Sequence, residues 1–178
     1  MINCKWLPEI IKCDDYDYTH WNEYLDKIYK IFQKYFIFRK NIFENKIVNF
    51  RKAPKDGKYE HTFIHLTHAD VFHKSEDPND RVPDTKRAER IGWNKPIIEN
   101  YKCKENCINC EKILYFEKYY KKNVRAYFLF KNVRFLVILE KRKNYNLFIT
   151  GYYVEYDNAM NKYLKNYKAY TLQKTPLA

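Results

Sequence analysis

Three segments in the second half of the chain constrain its fold most: Val124 to Phe130, Val133 to Glu140 and Asn146 to Tyr156. Each is rich in β-branched and aromatic residues, and the breaks between them, Lys131-Asn132 and Lys143-Asn144-Tyr145, are short and polar. Breaks of this kind join antiparallel neighbours, so three consecutive antiparallel strands are expected. The first half carries a different period. Trp21, Tyr24, Leu25, Ile28, Ile31, Phe32, Tyr35 and Phe36 recur at helical spacing behind Thr19, which predicts an amphipathic helix over residues 19–37 with Thr19 as its N-cap. A helix first and a sheet last make the class α+β.

Between these halves the signals are shorter. Ile47 to Arg51 reads as a short strand, and Pro54-Lys55-Asp56-Gly57 as a turn. His61 to Ala69 fits helix or strand, because periodicity does not decide over so few residues. Asp77-Pro78-Asn79-Asp80 marks a loop; Thr85 to Gly92 reads as helical, Pro96 to Asn100 as a second helical piece, and a charged helix from about Ala159 to Tyr167 closes the chain. At 178 residues the chain is long enough to bury a core as one domain. Its longest apolar run, Phe135-Leu136-Val137-Ile138-Leu139, is too short to cross a membrane, and Met1 to Trp6 has no extended apolar region of the secretory kind. No membrane partner and a cytoplasmic location are expected.

Function is concentrated between His61 and Trp93, which hold four of the five histidines and three of only eight arginines. The chain otherwise prefers lysine, 26 against 8, so an arginine marks a place where a fixed planar fork is needed rather than a flexible ammonium. Arg87 and Arg90, three apart, share one face if helical. Imidazoles that move protons near neutrality, beside guanidiniums that clamp phosphate, point to phosphodiester cleavage without a metal. The net charge of +12 favours a polyanion such as RNA or DNA, and suits an acidic protein equally well. A solvated basic face on a short helix remains the alternative reading of the arginines.

Other chemistries are set aside on composition. The only glycines are Gly57, Gly92 and Gly151, too few for a dinucleotide-binding turn or a phosphate-cradling loop. The only serine, Ser75, lacks the glycine-flanked elbow of a serine hydrolase. Carboxylates are scattered, apart from Asp14, Asp15 and Asp17, so a two-metal nuclease site is not indicated. Five cysteines without a secretory leader are expected as thiols. Cys103, Cys107 and Cys110 have partial zinc spacing, with Cys4, Cys13 or His73 available as a fourth ligand of a structural zinc site. His61 and His65, four apart, have the spacing of zinc ligands on a helix and could join the cysteines in one site.

Three motifs in order, Thr62-Phe63-Ile64-His65-Leu66-Thr67, Arg87-Ala88-Glu89-Arg90-Ile91-Gly92-Trp93 and Phe148-Ile149-Thr150-Gly151-Tyr152, together with a basic aromatic tail, resemble the phage and prophage branch of the barnase, EndoU, colicin and RelE-like (BECR) nucleases. The resemblance covers roughly residues 45–170. It implies N-terminal helices packed on a twisted antiparallel sheet of about four strands, with a helical segment 1–44 against a nuclease domain 45–178 in one compact unit. It further implies an RNA-cleaving toxin or phage-defence effector that needs no cofactor and is held in check by an acidic antitoxin or immunity protein. His65 would be the acid or base, Arg87 and Arg90 the phosphate-holding pair, and Thr150 and Tyr152 the groups orienting the phosphate or its leaving oxygen. His61, Arg81, Lys86 and Trp93 are expected to contact the RNA around them. Members of the family usually carry Thr-Ala-Tyr where this chain has Thr150-Gly151-Tyr152. Each residue also admits a structural reading: His65, between Ile64 and Leu66, as a core histidine, and Thr150 and Tyr152 as ordinary β-formers on one strand face.

Overall fold

The computed structural model describes residues 4–13, 20–70, 81–105 and 110–174. In chain order these form α1 (Trp21–Phe32), β1 (Asn41–Phe43), β2 (Lys46–Asn49), α2 (His61–Thr67), β3 (His68–Asp70), β4 (Arg81–Pro83), α3 (Thr85–Ala88), α4 (Asn94–Glu99), β5 (Ile113–Tyr120), β6 (Asn123–Phe130), β7 (Phe135–Lys141), β8 (Asn146–Tyr153) and α5 (Asp157–Lys174). The class is α+β. The main sheet has six strands in the order β1-β2-β8-β7-β6-β5, not about four, and β3 pairs with β4 in a separate two-stranded ribbon. All neighbours in the main sheet are antiparallel except β2 and β8, which run parallel.

The extra strands are those with weak alternation. β1 is three residues long, and β5 is an edge strand whose last residues, Lys118 to Tyr120, are exposed. The other two expected C-terminal strands are shorter than their sequence signal: β7 starts at Phe135, after Arg134 takes a left-handed φ of 52°, and β8 stops at Tyr153.

α1 buries Tyr24, Leu25, Ile28 and Phe32, and the helix continues as a π-helical turn over Gln33–Ile37 that carries Phe36 inward. The predicted end at residue 37 is reproduced; the Thr19 cap and the 77–80 loop lie outside the described residues. The Thr85–Gly92 segment is not one helix. Asp84 caps α3 by accepting from the Arg87 amide at 3.1 Å, and after one turn the backbone tightens into a 3₁₀ turn, Ile91–Trp93, before α4 begins. His61 to Ala69 is both of its alternatives in succession, helix to Thr67 and strand from His68. α5 starts at Asp157, close to the expected Ala159, and runs seven residues past the expected end, to Lys174.

The sheet has two apolar faces. One, with Phe43, Phe128, Phe130, Phe135, Val137, Leu139 and Phe148, packs with α1, α2 and α4 in a single core. The other, with Phe116, Leu129, Leu136 and Ile138, is covered by α5 through Met160, Tyr163, Leu164 and Tyr167. The hairpin between β1 and β2 turns at Glu44 and Asn45, both with positive φ, so β1, at the end of segment 1–44, is already the edge strand of the main sheet.

Two irregularities of β8 create the site. β2 pairs with β8 only as far as Leu147, which leaves the rest of that strand edge free for α2 to pack against. Just beyond, Ile138 pairs with Thr150 while Leu139 pairs with Phe148, so Ile149 is the extra residue of a β-bulge.

Candidate active site

α2 is held at both ends. Its first amides would be orphan donors; here the His61 and Thr62 amides donate to the carbonyls of Lys52 and Arg51 at 3.3 and 3.1 Å, and Thr62 Oγ1 accepts from the Arg51 amide at 3.0 Å. At the other end Arg87 Nη1 donates to the carbonyls of His65 (3.3 Å) and His68 (3.5 Å), while its Nε pairs with Asp84 at 3.0 Å. A guanidinium here also complements the negative end of the helix. The seven-residue helix is thereby fixed against the free edge of β8.

His61 and His65 lie one turn apart on this helix, their rings nearly parallel with centroids 6.3 Å apart. Both line a cleft of about 210 Å³ with Thr62, Arg51, Arg81, Arg125, Phe148 and Ile149. Three of the eight arginines thus surround two histidines. Arg81 Nε lies 3.1 Å from Asp70 across the β3–β4 ribbon, and Arg125, on β6, pairs with Glu140 at 3.2 Å and stacks on the Tyr120 ring at 3.5 Å. The cleft is smaller than the pockets that enclose whole drug-sized ligands. Its size and charge suit one phosphodiester group.

Burial pushes the His65 imidazole down to about 4, with Arg87 and Arg81 adding to the effect. Burial, then Arg81 and Arg51, lowers His61 as well. Both rings are therefore neutral at pH 7 in the free protein. A phosphate anion entering the cleft offsets the arginine charges and moves both histidines back towards protonation.

The other sequence-predicted residues fall into two groups. Arg87 sits behind His65, with its guanidinium 5.4 Å from the ring centre of Tyr152, and the Tyr152 hydroxyl is 2.5 Å from that of Tyr163 on α5. Burial, and then the bond to Tyr163, holds the Tyr152 phenol far above its ordinary range. Thr150 shares that face of β8 and is buried. Neither Thr150 nor Tyr152 lines the cleft. Arg90, Lys86 and Trp93 form a separate assembly: Arg90 is held between the rings of Trp93 (5.3 Å) and Tyr153 (5.0 Å), Lys86 pairs with Glu155, and Trp93 donates to the Pro8 carbonyl at 2.7 Å. Arg87 and Arg90 are thus placed to brace the scaffold, and Arg51 and Arg125 are the cleft arginines that the motifs did not include. The rarity of arginine in this lysine-rich chain is a signal that could have found them, but the expected site included neither.

Gly151 sits where a side chain has no room. A Cβ at this position would lie 1.7 Å from Asn94 Oδ1. Asn94 is fully buried and anchored by its Nδ2 donating to the Ile91 carbonyl at 3.0 Å, so this chain fills with an asparagine the space that an alanine methyl would need. Gly151 and Asn94 thereby make the close contact between α4 and β8.

For the zinc expectation, Cys107 and His73 lie outside the described residues. Cys4 and Cys110 bring their sulfurs to 3.8 Å. Among the described residues no three His, Cys, Asp or Glu side chains are grouped to hold a metal, His61 and His65 included. No helix among them is long and apolar enough to cross a membrane. No family model, curated protein or solved structure matches this chain. The likeness to the BECR nucleases rests on the three sequence motifs alone.

Proposed function

We propose that the chain is a metal-independent endoribonuclease. The observation that carries this reading is the convergence of His61 and His65 with Arg51, Arg81 and Arg125 in one phosphate-sized cleft. In the proposed reaction the neutral His65 takes the proton from a ribose 2′-hydroxyl as its oxygen attacks the adjacent phosphorus. The arginines offset the charge that develops on the phosphorane. The bond from phosphorus to the 5′-oxygen then breaks, and His61, protonated once the phosphate is bound, supplies the proton to that leaving oxygen. The products are a 2′,3′-cyclic phosphate and a 5′-hydroxyl. Arg87 and Tyr152 act through α2 and β8 as positioning residues. A toxin or defence effector with RNA as substrate and an acidic inhibitor protein as partner fits both the net charge and the motifs.

The test is incubation of the purified protein with total RNA in EDTA beside His65→Ala and Arg81→Ala, followed by analysis of the fragment ends. Cyclic phosphate ends made by the wild type and lost in both variants are expected. RNA that stays intact with and without added divalent metal, yet shifts in a gel, would replace this reading with a non-catalytic binding module.

A further inference from the structure

Next to the histidine cleft lie two more hollows, of about 400 and 380 Å³, that share Asn49, Phe50 and Lys52. One extends towards Ile37, Lys40 and Ile47, the other towards Tyr145 and Leu147 at the β7–β8 turn. The segment 49–52 is the wall between them and the cleft: Arg51 lines the cleft, while its neighbours Phe50 and Lys52 line the hollows.

The chemistry of these hollows is consistent along their length. Lys40 and Lys52 are exposed, and neither makes an ion pair with a described acidic residue. The acid present, Glu60, is already engaged by the Tyr29 hydroxyl at 2.9 Å, with Lys55 at 4.0 Å. Apolar and aromatic surface lies between the ammonium groups: Ile37, Ile47 and Tyr145 are exposed, and the Phe50 ring packs edge-on against Phe32 and Phe36. Lysines interleaved with accessible aromatic surface beside a phosphate-sized cleft match a single-stranded nucleic acid, whose bases can leave the stack and lie on side-chain rings.

We propose that these hollows form a flanking subsite, in which the nucleotide next to the scissile phosphate crosses the 49–52 wall, stacks its base on Tyr145 and sets its backbone phosphates against Lys52 and Lys40. The substrate class is then single-stranded rather than duplex RNA. This deepens the ribonuclease reading and rests on it for the word scissile; the binding part stands by itself.

The experiment uses the full chain and a 12-mer of 2′-O-methyl RNA, which cannot undergo 2′-hydroxyl attack, followed by fluorescence anisotropy for wild type, Tyr145→Ala, Tyr145→Phe, Lys52→Ala and Lys40→Ala, with circular dichroism as the check on folding. Tyr145→Ala is expected to weaken binding about tenfold and Tyr145→Phe to restore it, since stacking needs the ring and not the hydroxyl. Each lysine variant is expected to reduce the slope of log affinity against log salt by about 0.7. The same oligomer as a duplex is expected to bind more weakly. In cleavage, kcat/KM on an unmodified 12-mer falls about tenfold in Tyr145→Ala. Binding that these changes weaken, in a protein that never cuts, would sink the ribonuclease reading and leave the subsite standing. Cleavage with oligomer affinity untouched by all the variants, or a wild type that does not bind the oligomer, overturns the subsite and leaves the surface to a protein partner.

Discussion

The stretch from His61 to Trp93 contains two regions built from similar residues that do different work. In the first, His61, His65 and Arg81 line a cleft with Arg51 and Arg125. In the second, Arg87 spends its donors on Asp84 and two carbonyls, and Arg90 is held between Trp93 and Tyr153. What separates them is where each guanidinium lies: Arg51, Arg81 and Arg125 line an open cleft, where Arg81 and Arg125 each keep one carboxylate partner, while Arg87 and Arg90 lie outside it against helix carbonyls and aromatic rings.

The largest effect is expected where the first region is broken. His65→Ala should lower kcat/KM for RNA by a thousandfold or more, within the range a lost acid or base costs, and Arg81→Ala by about a hundredfold. Both should leave the unfolding midpoint in denaturant near that of wild type. Arg87→Ala should behave in the opposite manner. It removes an ion pair, two bonds to the end of α2 and the contact with the Tyr152 ring, at a cost of about 3 kcal/mol. Denaturant unfolding beside single-turnover cleavage separates the two patterns. If Arg87→Ala kept full stability and lost only catalysis, the division between the regions would be wrong.

A smaller effect tests the joint behind the cleft. Gly151→Ala should destabilise by about 2 kcal/mol, because the new methyl meets the anchored Asn94 side chain rather than a flexible tip. Asn94→Ala should relieve that collision, so the double variant is expected to be more stable than the sum of the two single changes predicts. A purely additive double-mutant cycle would mean that the α4–β8 contact does not decide which residue stands at 151.

The sequence carried the long periodic elements and missed those whose identity depends on neighbours. The stripe from Trp21 to Phe36 announces itself through a 3.6-residue period, and the three C-terminal strands through runs of β-branched and aromatic residues between short polar breaks. β5 did not, because Glu117, Lys118 and two tyrosines give its outer half no buried face to alternate. α2 stayed ambiguous because its seven residues mix polar and apolar types yet are buried on nearly every side, so no exposed face marks a period; the helix is fixed by docking on β8. In the site, the histidines were visible by type alone. Arg51 and Arg125 were not, since 74 positions separate them in the chain and only the sheet order brings them to one cleft. Thr150 and Tyr152 share a strand face as read, but the bulge at Ile149 gives the cleft Ile149 instead.

The smallest effect concerns protons, and its sign follows from His65. A histidine whose folded pKa is depressed from 6.5 to about 4 is neutral in the fold but charges readily once unfolded. The stability it contributes is present above pH 6.5 and is lost as pH falls towards 4. For this one group the loss between pH 6.5 and 5.5 is about 1 kcal/mol. His61 and His68, also lowered by burial, add to it in the same direction. Urea midpoints across that window should therefore fall with acid in the wild type and fall less steeply in His65→Gln, which titrates nowhere in the range. A bound phosphate analogue should flatten the wild-type slope, because it raises the folded pKa of the same imidazoles. A slope identical in wild type and His65→Gln would show that His65 meets water in solution, and with that the basis for its neutral state at pH 7 would be lost.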